Sequence, residues 1–210
     1  MEIIRKKTLK NETKEKSWHL VIIGPSGSGK GTQAKLLAEK FNLIHLSTGD
    51  LLRKEIEKKT EIGTKIKKLV NSGQWVSDEL VFQIMTPYLK KGIKRGFIID
   101  GFPRTIQQAK ILDKFLRELK TKLDCVLFLE IKPETILARR EKVVNKGEKF
   151  QEGRLDDSPE IFQERFRSYQ KTIDPILDFY QKKGLLVRVD GERSIGDIFK
   201  DILIKLEALL

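Results

Sequence analysis

The sequence predicts an α/β fold, a five-stranded parallel sheet doubly wound by helices. Two observations carry this. Short apolar runs rich in β-branched residues alternate with longer segments of helical periodicity along the whole chain. The first run, Val21-Ile22-Ile23, has no polar alternation, as suits a strand buried on both faces, and it enters a glycine-rich turn from which a helical pattern starts at once.

Composition sets the outer limits. At 210 residues, one compact domain with small mobile inserts is expected. No apolar run approaches the ~20 residues that span a bilayer, so no membrane association is expected. Met1 to Lys16 has no apolar secretory core, and Glu2, Glu12 and Glu15 argue against an organelle transit peptide. Cys125 is the single cysteine, which excludes an internal disulfide and a cysteine-cage zinc site, and a cytoplasmic location fits. The net charge of +12 would attract multiply charged phosphates. The lysines are spread among helical patterns without interleaved aromatics, so nucleic acid is not expected as a partner. Without coiled-coil heptads, a monomer is the default.

Residues 1–17 read as a flexible basic arm. The first strand is expected over Trp18 to Ile23. The helix after the turn shows a core face in Ala34, Leu37, Ala38 and Phe41. Leu43 to Leu46 is a short second strand. In HLSTGDLLR, His45 to Arg53, Ser47 caps a helix with Asp50 three residues on, which leaves Arg53 one turn in without a structural reason. Helices over about Thr48 to Lys58 and Thr60 to Ser72 are charge-rich and suggest a small lobe with little core of its own. A turn, Gly73 to Glu79, leads to a helix capped by Ser77 and carrying Val81, Ile84, Met85 and Leu89.

Phe97, Ile98 and Ile99 make a buried strand ending in Asp100. Gly101 to Thr105 then turns into a helix with Ile111, Leu112, Phe115, Leu116 and Leu119 on one face. Thr105 and Gln108 fit a capping box, which by itself would explain Gln108. Cys125 to Ile131 is the fourth strand, and Pro133 starts the next helix. Asn145 to Gly153 is polar and bounded by glycine, and reads as a flap. Ser158-Pro159 opens a long helix that Pro175 should kink or loosen. Leu185 to Val189 is the fifth strand, and a loop from Asp190 to Arg193 precedes the last helix, with Ile198, Ile202 and Leu206 inward.

The turn from Gly24 follows G-x-x-x-x-G-K closely, with Gly29 and Lys30 in register. Its glycines allow backbone N–H groups to face a phosphate, Lys30 adds a cation, and the helix N-terminus adds unpaired donors. Gly31 stands where the pattern has Ser or Thr, and Thr32 comes one place later. A Mg²⁺ ion there would be held mostly by nucleotide oxygens and water. Parallel sheets place ligands beyond the carboxyl ends of their strands, where Asp100 can orient metal-bound water. Arg53, Arg104, Arg139, Arg154 and Arg165 lie near loop ends or around the flap. Each alone could be a surface ion pair. Together with the loop they suit a transferring phosphoryl group, whose transition state needs positioning and charge compensation.

The motifs GPSGSGKGTQ, LSTGDLLR, GQWVSDELV, GFIIDGFPRTIQQA and GRLDD, in this order and spacing, resemble adenylate kinase of the nucleoside monophosphate kinase family, in its short-lid form, from about Trp18 to the C-terminus. The resemblance implies a P-loop NTPase fold, ATP and AMP as substrates, Mg²⁺, no zinc, an AMP-binding lobe over 47–76 and a lid over about 143–155. It implies that Gly27, Ser28, Gly29, Lys30, Gly31 and Thr32 cradle the ATP phosphates. Arg139 and Arg193 go to ATP, Arg139 near its base. Arg53 and Arg104 grip the AMP phosphate, Thr48, Gly101 and Gln108 line that pocket, and Val76 offers backbone contact to adenine. Arg154 and Arg165 bridge both nucleotides, and Asp100 holds metal-bound water. The implied catalytic set is Lys30, Arg104, Arg139, Arg154 and Arg165.

Ser26 departs from the proline usual at its position, and Val143 stands where a second lid arginine is expected, with Lys142 or Lys146 as substitutes. Two other readings compete. Uridylate–cytidylate kinases share the layout, but resemble LSAGD where this chain has LSTGD and carry asparagine where Gln108 stands. A nucleotide-gated RNA-binding ATPase would use the basic surface, but it needs no second nucleotide pocket.

Overall fold

A computed structural model describes residues 16–71, 76–145 and 159–210. The basic arm up to residue 15, the turn at Gly73 to Trp75, and the flap with Lys146 and Arg154 lie outside the described residues, as do the side chains of Lys142 and Val143.

The chain alternates as expected. Strand β1 (His19–Ile23) runs through the glycine turn into α1 (Lys30–Lys40), and β2 (Ile44–Ser47) follows. Helices α2 (Thr48–Glu57), α3 (Glu61–Asn71) and α4 (Asp78–Arg95) precede β3 (Phe97–Asp100). Then come α5 (Ile106–Glu118), β4 (Cys125–Glu130), α6 (Pro133–Asn145), α7 (Pro159–Lys182), β5 (Leu186–Asp190) and α8 (Ile195–Glu207). The five strands form one sheet in the order β2-β3-β1-β4-β5, and every neighbouring pair is parallel. From β1 the chain crosses to the β2 edge, returns to β3, then crosses β1 to β4. The carboxyl ends of β1 and β3 thus sit side by side where the winding reverses, the usual ligand position in such sheets.

Alternating side chains split the strands between two cores. Val21, Ile23, Phe97 and Ile99 pack with Met85, Leu89, Leu112, Leu116 and Ile176 of α4, α5 and α7. Leu20, Ile22, Ile98 and Leu127 pack with Ala34 and Leu37 of α1 and Ile198, Ile202 and Leu206 of α8. Each fully buried Leu or Ile contributes about 1.5–3 kcal/mol relative to exposure. Both faces of β1 are sealed, so the glycine turn leaves a rigid strand. Cys125 is buried within the sheet, and burial pushes its thiol up to about 12, which makes it a packing residue.

Strand limits fall within a residue or so of expectation, and the polar caps are made: Ser47 Oγ accepts from Asp50 N at 3.3 Å, and Ser77 Oγ accepts from Leu80 N at 3.4 Å. Helix α7 runs unbroken past Pro175. The proline forfeits one backbone bond, and Ile173, Ile176, Leu177 and Tyr180 are buried on both sides of it. Leu51 of α2 and Ile66 of α3, with Val76 before α4, are buried in the main cluster. The two helices also meet backbone to backbone, because a Cβ on Gly63 would fall 2.2 Å from Glu55 O.

Candidate active site

The glycine turn is built by residues that a side chain would spoil. Gly27 and Gly29 have φ of 84° and 89°, where L side chains are strained. Gly29 caps α1 without a side chain, and the first turn of α1 carries no acidic residue, so its amides remain available to an anion. Lys30 Nζ donates to Pro25 O at 3.2 Å, arching its ammonium back over the turn. Ser28 is fully buried, and its Oγ is among the described buried atoms without a hydrogen-bond partner. Thr32 is exposed on the next position of α1.

Asp100 faces this turn from the end of β3. A Cβ on Gly31 would come within 3.2 Å of Asp100 Oδ2, so glycine is what lets the turn lie against the carboxylate. Burial alone would raise the Asp100 pKa. The neighbouring His45 ring and the charges of Lys30 and Arg104 outweigh it and hold the carboxyl below its usual range. His45 Nε2 stands 3.9 Å from Oδ2, too far for a hydrogen bond, and both His45 Nε2 and Asp100 Oδ1 are buried without a hydrogen-bond partner. An orphaned buried carboxylate oxygen beside a lysine and a side-chain-free glycine fits a hydrated Mg²⁺ held through water. Among the described residues no group of three or more His, Cys, Asp or Glu side chains could cage a metal, so such an ion would depend on phosphate oxygens and water.

A second set of polar groups continues from Asp100 towards α2 and α5. Thr48 is buried, and its Oγ1 donates to Asp100 O at 3.2 Å. Gly101 has φ of 82°, and a Cβ there would lie 2.7 Å from Thr48 Oγ1. Arg104 Nε donates to Gly101 O at 2.8 Å while the residue stays exposed. Arg53 pairs with Asp50 one turn into α2, with its guanidinium next to Gly49. Gln108 is buried at the start of α5. Its backbone N–H donates to Thr105 Oγ1 at 3.0 Å, the expected cap. Its side-chain oxygen accepts from Arg104 N at 2.6 Å, not from Thr105 N as a capping box would have it. Val76 is buried beside the start of α4.

On the other side of the turn, Arg139 Nη2 donates to Gly191 O at 2.9 Å and to Glu192 O and Arg193 O at 3.3 Å. The loop returns the contact, since the Glu192 carboxylate accepts from Lys132 N at 2.6 Å and Thr135 Oγ1 at 2.5 Å. Gln33 Nε2 donates to Ile195 O at 2.9 Å, tying α1 to the start of α8 just after this loop. Arg193 is engaged in ion pairs with Asp190 at 3.2 Å and Asp201 at 2.8 Å. Arg165 lies half-buried on α7.

The profile of the family described as Adenylate kinase matches residues 22–185. The chain is 38% identical to an adenylate kinase of Archaeoglobus fulgidus over 216 aligned residues, covering 91% of this chain and 99% of that one. It is 40% identical to an adenylate kinase of Prochlorococcus marinus, covering 85% and 91% of the two chains. It is also 40% identical to one from Caldicellulosiruptor bescii, covering 88% and 96%. The chain belongs to the adenylate kinase family.

Within this adenylate kinase scaffold, the glycine turn with Lys30 and the residues Thr48, Asp100 and Gly101 lie at the carboxyl ends of β1, β2 and β3, with Arg104 and Gln108 following in the turn into α5. Arg139, on α6, is held against the loop beyond β5 that carries Arg193. Sequence reading passed over three site-adjacent residues. His45 lies in the apolar frame of β2, where an isolated histidine reads as packing. Asp78 reads as an ordinary first-turn carboxylate of α4. Glu192 lies in a loop whose partner, Lys132, stands 60 residues earlier, and no local signal marks it. No helix among the described residues is long and apolar enough to cross a membrane.

Proposed function

We infer that the chain catalyses the reversible transfer of the γ-phosphoryl of ATP to AMP, giving two ADP. The observation that carries this reading is the meeting at Asp100 of two different surfaces. Gly31 of the phosphate-binding turn closes on its carboxylate, and Thr48 of a second polar pocket takes its backbone carbonyl. A simple ATPase has no use for the second surface.

In this reading Gly27 to Thr32 and Lys30 bind the ATP phosphates. Arg53 and Arg104 hold the acceptor phosphate, with Thr48, Gly101, Gln108 and the Val76 backbone around AMP. Arg139 stands by the donor base, backed by the loop that carries Arg193. Arg154 and Arg165 are assigned to bridge both nucleotides, the lid to about 143–155 and the AMP lobe to 47–76. Mg²⁺ supplies charge neutralisation between the phosphates when bound, and Asp100 would hold it through water. The work left to the chain is alignment and preorganised positive charge, which phosphoryl transfer chiefly needs. The enzyme is read as a cytoplasmic monomer.

The acceptor is tested by comparing AMP, CMP and UMP at fixed ATP and Mg²⁺. A site that hydrogen-bonds its base rejects analogues lacking the matching groups by up to about 10⁴-fold. AMP is expected to be the preferred acceptor by at least about tenfold in kcat/KM. Faster turnover of CMP or UMP would assign the chain to the pyrimidine nucleotide kinases.

A further inference from the structure

We propose that Asp78 sets the acceptor-base specificity by fixing the orientation of the Gln108 side-chain amide. This rests on the reading of Gln108 as the residue that faces the acceptor base. Asp78 is the first residue of α4, 30 positions before Gln108 in sequence. Its Oδ1 accepts from Gln108 Nε2 at 2.7 Å, and its Oδ2 accepts from Thr105 Oγ1 at 2.8 Å. The same Thr105 hydroxyl oxygen accepts from Gln108 N at 3.0 Å, closing a ring of three side chains between the starts of α4 and α5. On the other side of the amide, Gln108 Oε1 accepts from Arg104 N at 2.6 Å.

An amide side chain can ordinarily turn over, exchanging its oxygen and nitrogen at little cost. Here it cannot. A carboxylate only accepts and a backbone N–H only donates, so the nitrogen must face Asp78 and the oxygen must face Arg104. Turning the amide over would set oxygen against carboxylate and NH₂ against N–H at a buried position, where unsatisfied polar groups are costly. Each amide atom retains one further capacity, an N–H on nitrogen and a lone pair on oxygen. The free pair is thus presented with one polarity. An adenine edge, with an amino donor beside a ring-nitrogen acceptor, complements it. A base with a carbonyl beside a ring N–H meets it with both polarities wrong. Asp78 touches no substrate in this account, so it is a positioning residue acting through Gln108.

The test is Asp78→Asn, Gln108→Ala and the double variant, each assayed with AMP, CMP and IMP and each checked for thermal unfolding. Asn keeps the size of Asp but offers both donor and acceptor, so of the two groups that hold the amide one way only Arg104 N remains. D78N is expected to raise KM for AMP about tenfold and to narrow the preference for AMP over IMP by a similar factor. KM for ATP should stay within about twofold. The double variant should be no worse towards AMP than Q108A alone. Should Q108A impair AMP use and D78N leave KM and preference unchanged, the positioning role is wrong while the Gln108 reading stands. Should Q108A itself leave KM for AMP unchanged, the underlying base-reading assignment is what fails. A D78N enzyme with lowered thermal stability and equal losses towards all three acceptors would show Asp78 to be only a brace between helices.

Discussion

Replacing Lys30 by Met is expected to lower ADP formation roughly 10²–10³-fold, the cost typical of removing one preorganised donor at a developing charge. The ammonium lies over the glycine turn, with Nζ on Pro25 O, next to amides that no side chain caps. It also contributes to holding the Asp100 carboxyl down. Met keeps the length and apolar stem of Lys and removes only the charge and its donors. Neither core cluster includes Lys30, so the fold should survive. Initial rates with ATP, AMP and Mg²⁺, paired with thermal unfolding, check this. A variant that unfolds normally and retains more than about a tenth of the rate would remove Lys30 from the phosphoryl path.

Replacing Gly63 by Val should separate structure from chemistry on the acceptor side. Here α3 crosses α2 so closely that any Cβ would fall 2.2 Å from Glu55 O, 3.0 Å from Glu55 C and 3.2 Å from Ile56 Cα. All three are backbone atoms, so no rotamer change relieves the clash and the helices must part. Overpacking of this kind costs about 1–3 kcal/mol. The displacement falls on the helix that carries Thr48 and Arg53 and on buried Ile66. Misplacement of positioning groups by about 1 Å can cost up to 10²-fold, so KM for AMP should rise on the order of tenfold or more. KM for ATP should change little. Gly196 is the control: it lies in α8 with nothing within 4 Å of an added Cβ, and Gly196→Ala should be neutral or slightly stabilising. Equal effects of G63V on both nucleotides would contradict assignment of the α2–α3 lobe to the acceptor.

Local signals carried much of this architecture. The run Val21-Ile22-Ile23 into Gly24 is legible because a strand buried on both faces cannot alternate, and because Gly27 and Gly29 adopt backbone conformations that disfavour other residues. Ser47, Ser77 and Thr105 mark helix starts for the same kind of reason, since a side-chain oxygen there meets a free N–H three residues on. Contacts between distant segments were hidden. That β3 inserts between β1 and β2 depends on how α2, α3 and α4 pack. Pro175 argues locally for a kink or a loosened turn, and the helix continues through it with Ile176 and Tyr180 buried. Gln108 reads as half of a capping box until Asp78 and Arg104 N are seen on either side of its amide. Arg139 draws its three acceptors from a loop more than 50 residues away.

The two-nucleotide site is tested most directly by following a mixture of the protein, ATP, AMP and Mg²⁺ by phosphorus NMR. The account predicts that ATP and AMP disappear together, that two ADP form for each pair consumed, and that no inorganic phosphate accumulates. Inorganic phosphate rising in step with ADP while AMP stays constant would contradict it, because the second pocket would then not be delivering an acceptor to the phosphoryl group.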